Sequence, residues 1–227
     1  LALGLLPLFA VATGIAMVLG LGSGYVLYVL ILYALECAVL LWAAPADLPT
    51  PGIGLANRIT LGRSTLVIVL AALALYPATM GQRDNWWIII LGTAALLLDG
   101  ADGWMARRYT ACTDFGGRFD MELDAFMLLA LSVLVCTSNK VGPWVVLIGA
   151  LRYVFIAAGG IWPRLQSKLQ PSLRRKAICL VQGVVLLICL GPIVPPALAS
   201  ALSAGALLLL FCSFAVDVRR LTLTPPS

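Results

Sequence analysis

The chain has 227 residues, of which 62% are hydrophobic and 11% charged, and its mean hydropathy is +1.03. A soluble domain is nearer half apolar and a quarter charged, so this composition indicates an integral membrane protein with no room for a sizeable soluble domain. The absence of histidine excludes His-based acid–base chemistry and His-ligated metal sites.

Apolar runs of about 20 residues are long enough to cross a bilayer as helices. They predict about eight spans, at 2–20, 25–44, 59–78, 86–108, 115–137, 142–161, 174–192 and 197–216. Clusters of Gly, Pro, Asn and Ser separate the runs, as turns require. The first run lacks the charged segment that begins a signal peptide, so we interpret it as a helix. The predicted fold is therefore all-α, a polytopic transmembrane helical bundle.

The polar, proline-rich segment 45–57 divides this bundle. Residues 1–50 are predicted to form an N-terminal two-helix transmembrane hairpin, and residues 51–227 a six-helix catalytic core. The dividing segment is expected to lie along the membrane surface.

The basic residues are distributed unevenly about the predicted spans. Most of the 15 Lys and Arg residues fall on one side, while Arg83 and Lys140 fall on the other. Basic loops stay cytoplasmic, which predicts a multi-pass protein, in a bacterial inner membrane, with both termini and the active site at the cytoplasmic face. Topology and anionic lipid headgroups account for the net charge of +5, so no nucleic-acid partner is expected.

Residues 96–129 hold six of the ten acidic residues, between long apolar runs. Asp99 and Asp102 share one face of a predicted helix, and Asp120 and Asp124 share one face of the next. Converging carboxylates offer the oxygen ligands that Mg²⁺ or Mn²⁺ prefers. Without a cation they would repel one another or be forced neutral. The spacing therefore predicts a divalent metal site.

Small residues and an arginine accompany these carboxylates. Gly103 and Ala106 allow a backbone or flat ligand to approach closely, and Arg107 offers a planar fork suited to phosphate. The complete pattern is Asp99-x2-Asp102-Gly103-x2-Ala106-Arg107-x8-Gly116-x3-Asp120-x3-Asp124. This pattern matches the signature of the CDP-alcohol phosphotransferase family at every position, and the chain resembles that family over residues 57–124.

The resemblance implies transfer of a phosphoalcohol from a CDP-linked donor to an acceptor hydroxyl, with release of CMP. It implies a pair of Mg²⁺ or Mn²⁺ ions, a homodimer, and Asp124 as the general base. The implied metal ligands are Asp99, Asp102, Asp120 and Asp124, and the implied cytidine nucleotide site is lined by Gly103, Ala106, Arg107, Thr113 and Gly116.

Further polar residues surround the signature. Asn57, Thr60 and Arg63 lie on one helix face in a run that resembles one near the nucleotide phosphates in the family. The alternative for this run is a capped, positive-inside helix start. Asp114 and Glu122 occupy positions that the signature leaves free. For both we expect solvation or a salt bridge to Arg118.

The other polar concentration is the basic segment 164–176, together with Arg152 inside the preceding span. An arginine within a span needs a partner or a wet cavity. These residues are candidates to bind a phosphate on the acceptor, as in relatives that act on glycerol 3-phosphate or inositol phosphate, and the alternative is topology alone. The candidates are Arg152, Arg164, Lys168, Arg174, Arg175 and Lys176.

The predicted activity is metal-dependent transfer of a phosphatidyl group from CDP-diacylglycerol to a small hydroxyl acceptor. An alternative in the same class uses a soluble CDP-alcohol, of the choline or ethanolamine type, and a lipid acceptor. A different class is a divalent-cation transporter with the aspartates as its ion site. Carboxylates at one membrane face beside Arg107, which would repel a cation, favour the enzyme.

Overall fold

A computed structural model describes residues 2–43, 55–76, 85–108, 114–162 and 172–223. Side chains are described within these ranges except at 2–4, 42–43, 55–61, 85, 101–108, 114–115 and 220–223. The predicted surface segment at 45–54 lies outside the described residues.

Helices make up nearly all of this described part, which contains no strand. In chain order they are α1 (Ala2–Leu19), α2 (Ser23–Ala43), α3 (Leu55–Leu75), α4 (Asn85–Arg108), α5 (Asp114–Thr137), a 3₁₀-helix (Pro143–Val146), α6 (Leu147–Ile161), α7 (Leu173–Leu190) and α8 (Pro196–Leu223). The predicted all-α class is confirmed.

Three helical stretches are long and apolar enough to cross a membrane, namely Ser23–Leu41, Pro143–Ile161 and Pro196–Arg219. Shorter apolar stretches occur in α1, α3 and α4. These lengths and compositions are those of a helical membrane protein. The number of spans, eight in the sequence analysis, stays a prediction.

Two of the predicted turns contain a residue in the left-handed region. Gly20, between α1 and α2, has φ +64°, and Asn139, after α5, has φ +57°. Glycine adopts this conformation without steric cost, and asparagine tolerates it better than most residues. The next residue, Lys140, donates hydrogen bonds from Nζ to the carbonyls of Cys189 and Gly191, where α7 ends. A cation at a helix C-terminus satisfies carbonyls that lack a partner within the helix.

Helix α3 is the centre of the bundle, because α1, α2, α4 and α5 all pack against it. Residues 67–73 are each at most 5% exposed, so α3 is buried on every side over this stretch. Its uninterrupted apolar sequence suits that position. Helices α1 and α2 pack on each other and on α3. The division into a hairpin and a six-helix core stays a prediction.

Glycines let two neighbouring helix pairs approach closely. A Cβ atom at Gly149 of α6 would lie 2.2 Å from the Cα of Leu129 in α5, so only glycine fits this crossing. At Gly183 of α7, a Cβ would lie 3.0 Å from the Leu96 side chain of α4. These contacts hold α6 against α5 and α7 against α4.

Two helices extend beyond the predicted apolar runs. Helix α3 begins at Leu55 rather than near 59, and α8 continues to Leu223 rather than ending near 216. The prediction for α8 stopped at the first charge, Asp217. That carboxylate is only 4% exposed and is paired with arginines from α7, so the helix continues through it.

Candidate active site

Three aspartates from two helices converge on one arginine. Arg63, early in α3, is 1% exposed, and its guanidinium forms an ion pair with Asp99 in the second half of α4. The same guanidinium lies 2.6 Å from Oδ1 of Asp120 and 3.2 Å from Oδ1 of Asp124, both early in α5. We call these four residues the aspartate cluster.

The antiparallel order of α4 and α5 brings the carboxylates together. Asp99 follows the long apolar part of α4, whereas Asp120 and Asp124 precede the apolar part of α5, so all three lie at the same end of the bundle. Asp120 and Asp124 share one face because they are one turn apart. The aspartate side chains keep 31%, 42% and 25% of their surface exposed, in chain order, so a ligand has access to them.

The cluster suits a hard divalent cation. One oxygen from each of the three carboxylates lies within 4.8 Å of the others. Oxygens around Mg²⁺, at about 2.1 Å from the ion, are at most roughly 4.2 Å apart, so a small inward movement would complete such a set. An all-carboxylate set is typical of Mg²⁺ or Mn²⁺ rather than of softer metals.

Most of the other predicted site residues lie outside the part that is described. This holds for the side chains of Asn57, Thr60, Asp102, Ala106, Arg107 and Asp114 and for the surroundings of Gly103. It holds for Thr113, Arg164 and Lys168 entirely. Gly116 lies in the first turn of α5, one turn before Asp120. Their roles in metal, nucleotide and acceptor binding stay predictions.

The pairing of Glu122 differs from the sequence-based expectation. Oε1 of Glu122 accepts a hydrogen bond from Nη2 of Arg152 at 2.5 Å, and Oε2 faces Nε of Arg152 at 3.4 Å. Of the two predicted alternatives, solvation fits, because 51% of the Glu122 side chain is exposed, whereas its ion-pair partner is Arg152 rather than Arg118. The close crossing of α5 and α6 at Gly149 brings Arg152 onto this face. Arg152 thereby has the partner that an arginine within a span requires.

A second cluster has the opposite balance of charge. Arg174 forms an ion pair with Asp217 of α8, and Nη1 of Arg175 lies 3.7 Å from the same Oδ1 atom. Asp217 is 4% exposed, whereas the two arginine side chains keep 31% and 30% of their surface exposed. We call Arg174 and Arg175, together with the Asp217 that they share, the arginine pair. Asp217 was not among the predicted site residues, although a carboxylate at the end of an apolar run indicates a functional or paired charge.

Helix α7 connects the two clusters. Lys176 follows the arginine pair directly and acts electrostatically on Asp99. Cys179, one turn further along α7, is within electrostatic range of both Asp99 and Asp124. Helix α7 also packs against α4 and α5, the two helices that carry the aspartates.

Comparison with known proteins agrees with this geometry. The family model for CDP-alcohol phosphatidyltransferase matches residues 53–216, which include the whole aspartate cluster. CDP-diacylglycerol--glycerol-3-phosphate 3-phosphatidyltransferase 2 of Arabidopsis thaliana is 29% identical over 117 residues, which cover 49% of this chain and 49% of that protein. The chain thus matches about half the length of this relative, and no solved structure matches it. The chain belongs to the CDP-alcohol phosphatidyltransferase family.

Proposed function

We propose that this protein transfers a phosphatidyl group from CDP-diacylglycerol to the hydroxyl of a small polar acceptor, releasing CMP. The observation that carries the proposal is the convergence of Asp99, Asp120 and Asp124 inside the region that matches the family. Phosphoryl transfer depends mainly on positioning and on neutralising charge, and a set of converging carboxylates can hold the cations that do this.

A lipid donor suits the surroundings of the aspartate cluster. The Arabidopsis relative is named for CDP-diacylglycerol, and the described helices present large apolar side chains on their outer faces. An acyl-bearing substrate can therefore keep its chains among lipids while its nucleotide reaches the carboxylates at the helix ends. We place this end at the cytoplasmic face, where the basic residues concentrate.

The metal requirement follows from the donor set. Asp99, Asp120 and Asp124, together with Asp102 by the family signature, would hold a pair of Mg²⁺ or Mn²⁺ ions. Bound there, such ions would neutralise phosphate charge and stabilise both the attacking and the leaving oxygen. Arg63 fixes one oxygen of each described carboxylate from the buried side, which limits their freedom before any substrate binds.

Asp124 is the proposed general base. Its side chain keeps 25% of its surface exposed, and its contact with Arg63, at 3.2 Å, is longer than the 2.6 Å contact of Asp120, so an acceptor hydroxyl can reach it. The acceptor hydroxyl gives its proton to the Asp124 carboxylate, and its oxygen bonds to the phosphorus that carries diacylglycerol. The bond from that phosphorus to the bridging oxygen breaks, and CMP leaves with the electron pair.

Glycerol 3-phosphate is the acceptor that the chain supports best. The Arabidopsis relative is named for it, and the arginine pair carries two guanidinium groups against one carboxylate. Partly exposed guanidinium groups bind phosphate through paired hydrogen bonds. Because α7 also packs against α4 and α5, which carry the aspartates, a phosphate held by the arginine pair would bring the remaining hydroxyls of the acceptor towards the aspartate cluster. We also propose that the active form is a homodimer, as the family resemblance implies.

A transporter fits the cluster less well. Arg63 lies among the carboxylates and is 1% exposed, so a cation passing through them would meet a fixed positive charge. An enzyme needs the cations to stay, and a fixed charge beside them is compatible with that.

The test uses purified full chain in phosphatidylglycerol-free vesicles, with CDP-diacylglycerol labelled in its acyl chains and Mg²⁺ present. Glycerol 3-phosphate, inositol phosphate, free inositol and serine are supplied separately, and a diacylglycerol with CDP-choline serves as the reverse combination. We expect labelled phosphatidylglycerophosphate and stoichiometric CMP with glycerol 3-phosphate, and no product in EDTA. Product only from CDP-choline, or cation flux into vesicles without CMP release, would contradict the proposal.

A further inference from the structure

The position of Arg63 has a consequence for the metal site. Three carboxylates surround one guanidinium, so the aspartate cluster carries three formal negative charges against one positive. Arg63 is 1% exposed, and a buried charge is tolerated only when it is paired and hydrogen-bonded. The guanidinium and the carboxylates therefore depend on each other whenever no other cation is present.

The recorded ion pairs use one oxygen of each carboxylate. Arg63 contacts Oδ1 of Asp99, Oδ1 of Asp120 and Oδ1 of Asp124. A carboxylate has two oxygens and can accept from more than one partner. A divalent ion can therefore bind the remaining oxygens, but it would then lie close to the guanidinium. Two cations held by the same three carboxylates repel each other, which weakens the binding of the second.

Resemblance to the family predicted a nucleotide-binding role for Arg63, and that role does not require contact with three carboxylates. The contacts indicate a different one. We propose that Arg63 is the internal counter-ion of the metal site, which neutralises the aspartates before metal binds and lowers their affinity for the metal afterwards. Arg63 is thus a positioning residue, and the inference rests on the metal use given under the proposed function.

A substitution that removes the charge separates these effects. Arg63→Gln keeps a polar side chain but loses the positive charge, and Arg63→Lys keeps the charge on a shorter chain that reaches fewer carboxylates. The measurement is Mn²⁺ binding to the detergent-solubilised full chain, without nucleotide, followed by the electron paramagnetic resonance signal of free Mn²⁺. We expect Arg63→Gln to bind Mn²⁺ about tenfold more tightly than the wild type, or more, and Arg63→Lys to fall between them.

Thermal denaturation supplies a second readout. In EDTA, Arg63→Gln should unfold at a lower temperature than the wild type, because its aspartates repel one another without a counter-ion. Saturating Mn²⁺ should then raise its unfolding temperature by more than it raises that of the wild type. Equal stabilisation of both proteins by Mn²⁺, together with equal Mn²⁺ affinity, would overturn the inference.

Arg118→Gln is the matched control. Arg118 is exposed on α5, two residues before Asp120, so its substitution removes the same charge without touching the cluster. Because solvent and salt screen an exposed charge, Mn²⁺ affinity should change less than about threefold. If Arg118→Gln tightens Mn²⁺ binding as much as Arg63→Gln does, the effect is one of overall charge and the inference fails.

The remaining outcomes are also decisive. If the wild type binds no Mn²⁺, the proposed metal use fails; if it binds Mn²⁺ and Arg63→Gln does not bind it more tightly, only the role of Arg63 fails. Loss of CMP binding in Arg63→Gln with unchanged Mn²⁺ affinity would overturn the inference in favour of a nucleotide contact. If Arg63→Gln does not fold, Arg63→Lys decides, since tighter Mn²⁺ binding supports the inference and equal or weaker binding overturns it.

Discussion

The aspartate cluster and the arginine pair each surround one buried charge with several partly exposed charges of the opposite sign, and the signs are reversed between them. In the first, one guanidinium from α3 faces three carboxylates from α4 and α5, and in the second, one carboxylate from α8 faces two guanidinium groups from α7. In each case the nearly inaccessible partner is the minority charge, Arg63 at 1% and Asp217 at 4% exposure. The surplus charge faces outwards, where it can act on a ligand.

This arrangement separates two kinds of ligand on one surface. A surplus of carboxylate attracts cations, whereas a surplus of guanidinium attracts phosphate. A transfer reaction between a nucleotide donor and a phosphorylated acceptor needs a cation-binding surface and a phosphate-binding surface that lie close together. Helix α7 carries the arginine pair and packs against both α4 and α5, as a site shared by the two surfaces would require.

The largest expected effect comes from the aspartate cluster itself. Asp124→Asn should lower the rate of CMP release from CDP-diacylglycerol by about 10²–10⁴-fold, because the amide cannot accept the acceptor's proton. Cytidine nucleotide binding should survive. Glu122→Gln, two residues away on α5 but outside the cluster, should lose less than about threefold. Normal turnover by Asp124→Asn would show that another group is the base.

Substitution of Gly149 tests whether the crossing of α5 and α6 holds the aspartate cluster in place. Gly149→Ala places a Cβ 2.2 Å from the Cα of Leu129, so α6 must move away from α5. We expect a loss of about 3 kcal/mol of stability and weaker Mn²⁺ binding, because α5 carries two of the three aspartates. Gly160→Ala, in the same helix but with nothing within 4 Å of its Cβ, is the control and should leave both unchanged.

Thermal unfolding in detergent and Mn²⁺ titration measure these two effects. The expected order is a clear decrease in unfolding temperature for Gly149→Ala and none for Gly160→Ala. A similar response of both variants would mean that the α5–α6 crossing does not hold the aspartate cluster in place.

The arginine pair should respond through the acceptor. Arg174→Gln should raise the KM for glycerol 3-phosphate by about tenfold or more, since a charge-assisted hydrogen bond to phosphate is lost. Mn²⁺ affinity should not change, because Arg174 pairs with Asp217 and not with the aspartate cluster. Initial rates at varied acceptor concentration give the KM. An unchanged KM would leave the arginine pair as a structural link between α7 and α8.

Arg152 is expected to give the smallest effect. Its guanidinium pairs with a carboxylate of its own, Glu122, at 2.5 Å, whereas Arg174 and Arg175 share Asp217, so Arg152 has less surplus charge to offer a phosphate. Arg152→Ala should raise the KM for glycerol 3-phosphate by roughly threefold, as loss of a partly exposed ion pair costs little. A larger rise than that of Arg174→Gln would place the acceptor phosphate between α5 and α6, and would reverse the ranking of the two basic sites.

Much of the fold was predictable because apolar runs in the sequence mark the helices. The predicted span at 86–108 corresponds to α4 at Asn85–Arg108, and the span at 115–137 corresponds to α5 at Asp114–Thr137. Helix α8 was predicted too short because its apolar run stops before Asp217, and the local sequence does not show that this charge has a partner. Asp217 is neutralised by residues 43 and 42 positions earlier in the chain, which no window of adjacent residues includes.

The sequence was enough to predict a helical, apolar chain that resembles this family, with Asp99, Asp102, Asp120 and Asp124 grouped in one metal site. Residue type and spacing carry that information, because a helix repeats every 3.6 residues. The ion pairs between helices depend on the tertiary structure. Arg63 pairs with the aspartates, Glu122 pairs with Arg152 and not with Arg118, and Arg174 pairs with Asp217. These pairs form only at particular rotations of the helices and particular distances between them, and close packing of the whole bundle sets both.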